Sequence, residues 1–212
     1  MDRFIAALPA VEDGDLMLSH EYGVAWQKDQ TNLVPYDQAY FDKCGAYADD
    51  PVAQSVNAAR VAFVAKHYGV GPVVDVGIGD GAFLRLRANT WGFDVNPYAE
   101  SWLKRQDKWA HFLSDFDAFT FWDVLEHVPT PEDYFKRIAV GCYLFASVPV
   151  FWELSTIRES KHYRPNEHLY YWVPSGFVGW MERHGFRLLE KEVEHGRDWV
   201  MRFAFERVRD AG

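Results

Sequence analysis

Cysteine is scarce in this chain. Cys44 and Cys142 are the only two, far apart and in neither a metal-binding nor a redox spacing. That excludes a disulfide framework and a structural zinc site, and predicts two reduced, packed thiols. Basic clusters are also few: 22 Lys and Arg stand against 31 Asp and Glu, a formal net charge of -9, and groups such as Arg85 with Arg87 stay small, with never more than two basic residues adjacent. This argues against naked nucleic acid as a partner and favours a small-molecule or carrier-bound acceptor. No apolar run is long enough for a membrane span, which needs ~20 residues. The longest uncharged stretch, Ile138 to Trp152, is rich in strand formers, contains Pro149, and reads as a buried strand with its exit loop. The apolar patch from Phe4 to Val11 runs into Glu12, Asp13 and Asp15, a pattern of neither a secretory signal nor a transit peptide, so a cytoplasmic location is expected. Internal repeats, low-complexity tracts and long linkers are missing as well.

What is present is an ordinary globular composition, 49% hydrophobic and 25% charged over 212 residues, enough for one ordered domain with an appended segment. Asp50 followed by Pro51 predicts a capped helix start. Val52, Val56, Ala59 and Phe63 recur at helical spacing until Gly69. Pro72 to Val76 reads as a strand, Gly81 to Ala88 as a short helix, Trp91 to Val95 as a strand and Pro97 to Arg105 as a helix. Ala118 to Trp122 and Tyr143 to Val148 are strand-like, with a helix begun by Pro131 between them, and Pro174 and Gly185 bracket another helix. Leu188 to Val193 and Trp199 to Val208, joined by a turn at His195 and Gly196, predict a closing antiparallel hairpin. The alternation predicts an α/β fold: a doubly wound, mostly parallel sheet of seven strands, or six, with helices on both faces. Residues 1–50 are read as an N-terminal lid or helical extension, and 51–212 as the main domain.

The most informative segment is Val73-Val74-Asp75-Val76-Gly77-Ile78-Gly79-Asp80-Gly81, a buried strand that turns on three alternate glycines before a helix. Such glycines allow close backbone approach to a ligand. A second strand ends at Asp94, where a carboxylate can accept hydrogen bonds from both hydroxyls of a ribose. An adenosine-bearing cofactor satisfies both features. Gly77-x-Gly79-x-x-Ala82 also fits a loose dinucleotide fingerprint, but Asp75, two residues before the first glycine, would oppose a pyrophosphate. It suits a sulfonium cofactor carrying an amino group.

At these residues the chain resembles the class I S-adenosylmethionine-dependent methyltransferases, and among them the ubiquinone-biosynthesis O-methyltransferases. The likeness runs from about Val73 to Glu190. Asp75, Gly77, Gly79 and Gly81 match the glycine motif, Asp94 the ribose acid, and Phe116 to Val128 the segment ending in Leu125-Glu126-His127. His168-Leu169-Tyr170 and Gly185-Phe186 resemble the segment after the fifth strand. The resemblance implies a Rossmann-like methyltransferase fold with S-adenosyl-L-methionine as cofactor. It places Trp122 beside the methionine part of that cofactor and Arg60 at its carboxylate. One departure stands out, because only about twenty residues separate Asp94 from Phe116, where the family fits a full helix and a third strand. Ser114 or Asp115 is then the candidate adenine contact.

Methyl transfer to an activated sulfonium demands alignment and exclusion of water more than acid-base chemistry, although a hydroxyl acceptor benefits from a base. Asp123, Glu126 and His127 share one face if the chain is helical there. In the ubiquinone-type relatives the equivalent set is associated with a divalent metal, which makes these three the candidate ligands for a cation such as Mg. His127, Glu126, His162 and His168 are the candidate catalytic groups. The loop from Glu153 to Pro174, with Tyr163, Arg164, Glu167, Tyr170, Tyr171 and Trp172, is expected to contact the acceptor. Trp26, Tyr36, Tyr40, Phe41 and Tyr47 are lid candidates. Asn96-Pro97-Tyr98 evokes a motif of base-modifying amino-methyltransferases, but it follows the second strand and reads better as a helix start. The leading expectation is methyl transfer to a hydroxyl or similar nucleophile. The alternatives are a noncatalytic cofactor-binding partner subunit and a nicotinamide-dependent oxidoreductase.

Overall fold

The structure, a computed structural model, describes residues 1–31, 33–45 and 50–210. From the amino end, the short helix α1 (Arg3–Ala6) leads to strands β1 (Val11–Asp13), β2 (Leu16–Ser19) and β3 (Val24–Gln27), and then to helix α2 (Gln38–Gly45). Helix α3 (Pro51–Tyr68) opens the alternating part: β4 (Val73–Val76), α4 (Ala82–Leu86), β5 (Thr90–Phe93), α5 (Pro97–Arg105), β6 (Ala118–Trp122), α6 (Glu132–Phe135) and β7 (Tyr143–Pro149). After a long loop come β8 (Tyr170–Trp172), α7 (Pro174–Arg183), β9 (Phe186–Val193) and β10 (Val200–Arg207). The helix starts follow the local chemistry. The Asp50 side chain accepts from the Val52 N–H at 2.8 Å, Pro51 occupies the first turn, and Gly69 closes the helix at φ 77°. Asn96 likewise caps α5 through the Tyr98 N–H at 3.0 Å, so Asn96-Pro97-Tyr98 is a helix start.

The central sheet has six strands in the order β5-β4-β6-β7-β10-β9. The first four are parallel, and β10 runs antiparallel to both neighbours. Beyond β5, where the resemblance implies a further strand, the described residues form one parallel bridge between Gly92 and Trp109, in keeping with the short spacing after Asp94. The period of two sorts side chains between faces. Val74, Val76, Phe119, Phe121, Ala146, Phe203 and Phe205 point into the larger core with Phe177, Trp180 and Met181 of α7. Val73, Ala118, Trp122, Phe145 and Ala204 point the other way, onto Phe63 and Val64 of α3 and Phe83 of α4.

A second, antiparallel sheet is built from β1-β2-β3-β8. The N-terminal segment is therefore largely a β-meander, with α2 its longest helix. Trp26 lies in the main core at 5% exposure rather than over a ligand site. Tyr47 lies outside the described residues. The meander is tied down by Asp2: its backbone N–H donates to the Tyr170 hydroxyl at 2.9 Å and its carboxylate meets His184 at 2.9 Å, both fully buried. Burial pushes the Asp2 carboxyl up, but His184 more than reverses this and holds it below the usual range. No helix among the described residues is long and apolar enough to cross a membrane.

The two sheets also meet where α7 abuts the turn before β3. A Cβ on Gly176 would stand 2.1 Å from the Gly23 carbonyl oxygen, a contact that only backbone movement could relieve. Gly176→Ala is expected to destabilise the protein by about 1–3 kcal/mol, the range for overpacking a filled interior. Urea denaturation of the two proteins checks it, and equal midpoints would show that the contact yields freely.

Candidate active site

The chain passes from β4 outward to β5 and then returns on the far side of β4 as β6, which opens a crevice at the carboxyl ends of these strands. A cavity of about 320 Å³ occupies it. Gly77 and Gly79 line one wall, Asp94 a second, and Trp122, Asp123 and His127 a third, while Tyr36, Tyr40, Phe41 and Cys44 of the α2 region cover it. Gly79 has φ 56°, and a Cβ there would meet nothing within 4 Å, so its backbone faces open space. Gly77 has φ 74°, and a Cβ would come within 2.6 Å of Val124. Gly81 serves the fold instead: it begins α4 at φ 75°, closely packed on Trp102, and does not border the cavity.

The two acids differ in reach. Asp94 borders the cavity, and its carboxylate accepts the Ile78 N–H at 2.9 Å and the Asn96 N–H at 2.8 Å. It thereby fastens the glycine turn to the tip of β5. Burial raises its pKa against the pull of those two N–H groups. Asp75 lies one layer deeper, at 2% exposure, where the Thr120 hydroxyl donates to it at 2.6 Å. Burial pushes this carboxyl up to about 8, a shift that the Thr120 bond and the Arg60 charge only moderate. Asp75 is thus a support behind the glycine turn rather than part of the cavity wall.

Arg60 does not border the cavity either. Its Nε donates to Glu194 at 2.7 Å, and its Nη2 donates to Glu194 at 2.9 Å, Asp123 at 2.8 Å and Ser147 at 3.0 Å. The guanidinium lies 5.0 Å from the ring centre of Trp122. Arg197 binds Asp123 and Glu194 as well. Burial alone would raise the Asp123 pKa, but Arg197 and Arg60 hold it far below the usual carboxylate range. Asp123, expected as a metal ligand with Glu126 and His127, is consequently engaged by the two arginines and is not among the convergent ligand atoms. Glu126 and His127 face His168 instead, with one ligand atom of each within 4.8 Å of the others.

That trio is polar, buried and nearly without partners. Both Glu126 carboxyl oxygens and the His168 Nδ1 are buried with no hydrogen bond. His127 Nε2 is 3.9 Å from Glu126 Oε1, and the His127 and His168 rings meet edge to face at 4.7 Å. Burial, reinforced by Asp123, drives the Glu126 pKa well up. Burial lowers His127, and burial with the His127 and Arg164 charges takes His168 down to about 3. Burial thus shifts all three toward their neutral forms, and of the three His127 alone lines the cavity.

The other expected contacts lie elsewhere. His162 is bound to the Asp198 carbonyl at 2.9 Å and sits outside the cavity wall. Tyr170, Tyr171 and Trp172 are interior residues of β8, at most 1% exposed, because pairing of β8 with β3 buries both of its faces. They contribute packing rather than acceptor contact. Ser114 and Asp115 are exposed on a short turn away from the cavity, whose wall beyond Asp94 is formed by Val95, Asn96 and Tyr134. Tyr134 of α6, and Glu194 and Arg197 of the β9–β10 turn, which join Asp123 through the arginines, carry no signal in the sequence: each is a single polar residue brought in by tertiary packing.

The sequence profile of a methyltransferase-domain family matches residues 52–191, most of the chain. No curated protein matches. Among solved structures, the N-methyltransferase NodS from Bradyrhizobium japonicum WM9, in complex with S-adenosyl-L-homocysteine, is similar with a TM-score of 0.56 at 15% identity, over 80% of this chain and 97% of that one. The 1,6-didemethyltoxoflavin-N1-methyltransferase of Burkholderia thailandensis reaches 0.55 at 12% identity, over 96% of this chain and 100% of its own. An S-adenosylmethionine-dependent methyltransferase from Clostridium acetobutylicum reaches 0.53 at 14%, over 81% and 100%. Neither the profile nor these structures point to the ubiquinone-biosynthesis group in particular. The crevice, the glycine turn fastened to Asp94, and the matching profile together place the chain in the methyltransferase-domain family, as an S-adenosylmethionine-dependent methyltransferase of class I fold.

Proposed function

We propose that this protein transfers a methyl group from S-adenosyl-L-methionine to a hydroxyl or similar nucleophile of a small or carrier-bound metabolite in the cytoplasm, with His127 as the base. The observation that carries this reading is His127 at the cavity wall, its pKa held below the ordinary value by burial, with the buried Glu126 carboxyl 3.9 Å behind it. The cofactor fits the residues present. Gly79 offers open backbone, and Trp122 Nε1 and Asp123 Oδ1 are polar atoms of the cavity wall left without a partner, a donor and an acceptor respectively. Asp94 would hold the ribose, Asp123 the amino group, and Tyr36 with Tyr40 on the α2 side would close the cavity as a lid. When bound, the cofactor supplies a methyl group already activated by its sulfonium.

His127 then accepts the proton that the nucleophile sheds as the new bond forms. Glu126 Oε1, 3.9 Å from His127 Nε2, lies beside the imidazole that receives that proton. The apolar cover of Phe41 and Val128 excludes water from this exchange.

A second reading gives the trio to a divalent cation, because Glu126, His127 and His168 offer three convergent ligand atoms. Two imidazoles and one carboxylate suit a transition ion better than magnesium, which prefers oxygen.

Three outcomes follow from the first reading. Asp94→Ala weakens S-adenosylhomocysteine binding by about 1–3 kcal/mol, the cost of leaving buried polar groups unpaired; titration calorimetry reads this, and an unchanged affinity removes Asp94 from the site. His127→Gln lowers kcat by about 100-fold or more while cofactor affinity is kept. Since burial places the His127 pKa below its ordinary 6.5, kcat/KM falls toward acid pH with a midpoint below 6.5. A midpoint above 6.5 contradicts the assignment, and loss of activity in EDTA that zinc restores favours the metal reading.

A further inference from the structure

Most of the tryptophans in this protein are buried or half-buried, but Trp152 and Trp199 are exposed, at 62% and 43%, and they stand side by side. Their ring centres are 6.3 Å apart and their planes meet at 54°, so two indole faces form an open corner. The Val150 N–H donates to the Trp199 carbonyl at 2.7 Å, which fixes the exit of β7 against the entry of β10 and holds the corner in shape. A groove of about 530 Å³ runs beneath it, edged by Glu153, Glu159, Lys161 and Asp198. Trp199 has φ 62°, a left-handed backbone that suits glycine or asparagine and not a bulky ring.

The corner lies on the same end of the sheet as the cofactor cavity, since β7 finishes there and β10 begins there. The connection is short. Asp123 borders the cavity, Arg197 binds Asp123, and Trp199 follows Arg197 by two residues in the β9–β10 turn. The cofactor cavity, at about 320 Å³, is small for a nucleoside and a large acceptor together, so an extended acceptor must reach outward.

We propose that the Trp152–Trp199 corner is a second binding site, a subsite for an alkylammonium or guanidinium group that the acceptor carries at a distance from its methylated atom. The inference rests on the methyl-transfer reading above, to which it adds the chemistry of the acceptor's far end. The free groups of the groove are indole faces, whose quadrupole attracts a cation, and carboxylates, which only accept hydrogen bonds. Glu159 makes no hydrogen bond or ion pair among the described residues. Among the described residues that line the groove the one cation, Lys161, is already directed at Asp198 at 3.5 Å. An anionic group would meet repulsion from Glu153, Glu159 and Asp198.

Indole N–H signals of the full chain labelled with 15N-tryptophan test this, with Trp152→Phe and Trp199→Phe assigning the two resonances. Choline is expected to move both signals saturably, and its neutral isostere 3,3-dimethylbutan-1-ol at least tenfold more weakly. Glu159→Gln should weaken the choline response several-fold. An equal response to the isostere, a larger one to glucose, or no response to choline overturns the proposal. Calorimetry with S-adenosylhomocysteine on the same sample separates the two levels. Cofactor binding without a choline response sinks the subsite alone, whereas a choline response without cofactor binding keeps the cation site and sinks the methyl-transfer reading.

Discussion

The active-site end of this protein depends on one electrostatic knot, in which two arginines and two carboxylates neutralise each other between three separate elements. Arg60 comes from the middle of α3, Asp123 from the end of β6, and Glu194 with Arg197 from the β9–β10 turn. Glu194 is wholly buried and Arg60 nearly so, so neither charge would be tolerable alone. The knot also explains a row of polar side chains on an otherwise apolar sheet face. Asp75, Thr120 and Ser147 lie on the face covered by α3, and Arg60 stands on the buried stripe of that helix, four residues after Val56. Trp122 takes its place in the cavity wall because the same guanidinium lies against its ring.

Beside this charged centre the buried trio is shifted away from charge. Glu126, His127 and His168 are each moved toward their neutral forms by burial, although each could carry charge in water. The separation is physical: Asp123 has its two arginines, and among the described residues the trio makes no ion pair with an arginine or lysine. An acid held ionised by its neighbours thus stands at the end of β6, a few residues before a carboxyl and two imidazoles from which burial withholds charge.

Much of the alternating fold was legible because its signals are local. Asp50-Pro51, Asn96-Pro97 and Pro174 each mark a helix start within a residue, and Ala118 to Trp122 is a strand with the bounds read from its composition. The glycine turn and Asp94 were legible for the same reason, since close backbone approach leaves its mark in residue type. The small sheet was not. Strands of three or four residues are too short to display an alternating period, and β8 hid in a run of aromatics that looked like a binding surface. Arg60 was placed in the right neighbourhood but with the wrong partner, because its carboxylate, Glu194, is 134 positions away in sequence. The trio was two-thirds legible: Glu126 and His127 are adjacent, but the third member arrives from the far end of a loop.

The single bridge beyond β5 has a consequence at the margin of the sheet. Only Gly92 of β5 is engaged on its outer side, by the pair of bonds to Lys108 and Ala110 at 2.8 and 2.9 Å. Gly92 tolerates nothing larger, since a Cβ would come within 2.6 Å of Leu103. With four residues and a clasp at its third, β5 leaves a neighbouring molecule almost no ladder to zip onto. By forming a bridge there in place of a strand, the chain has shortened the one flank through which its parallel sheet could have been extended by another copy.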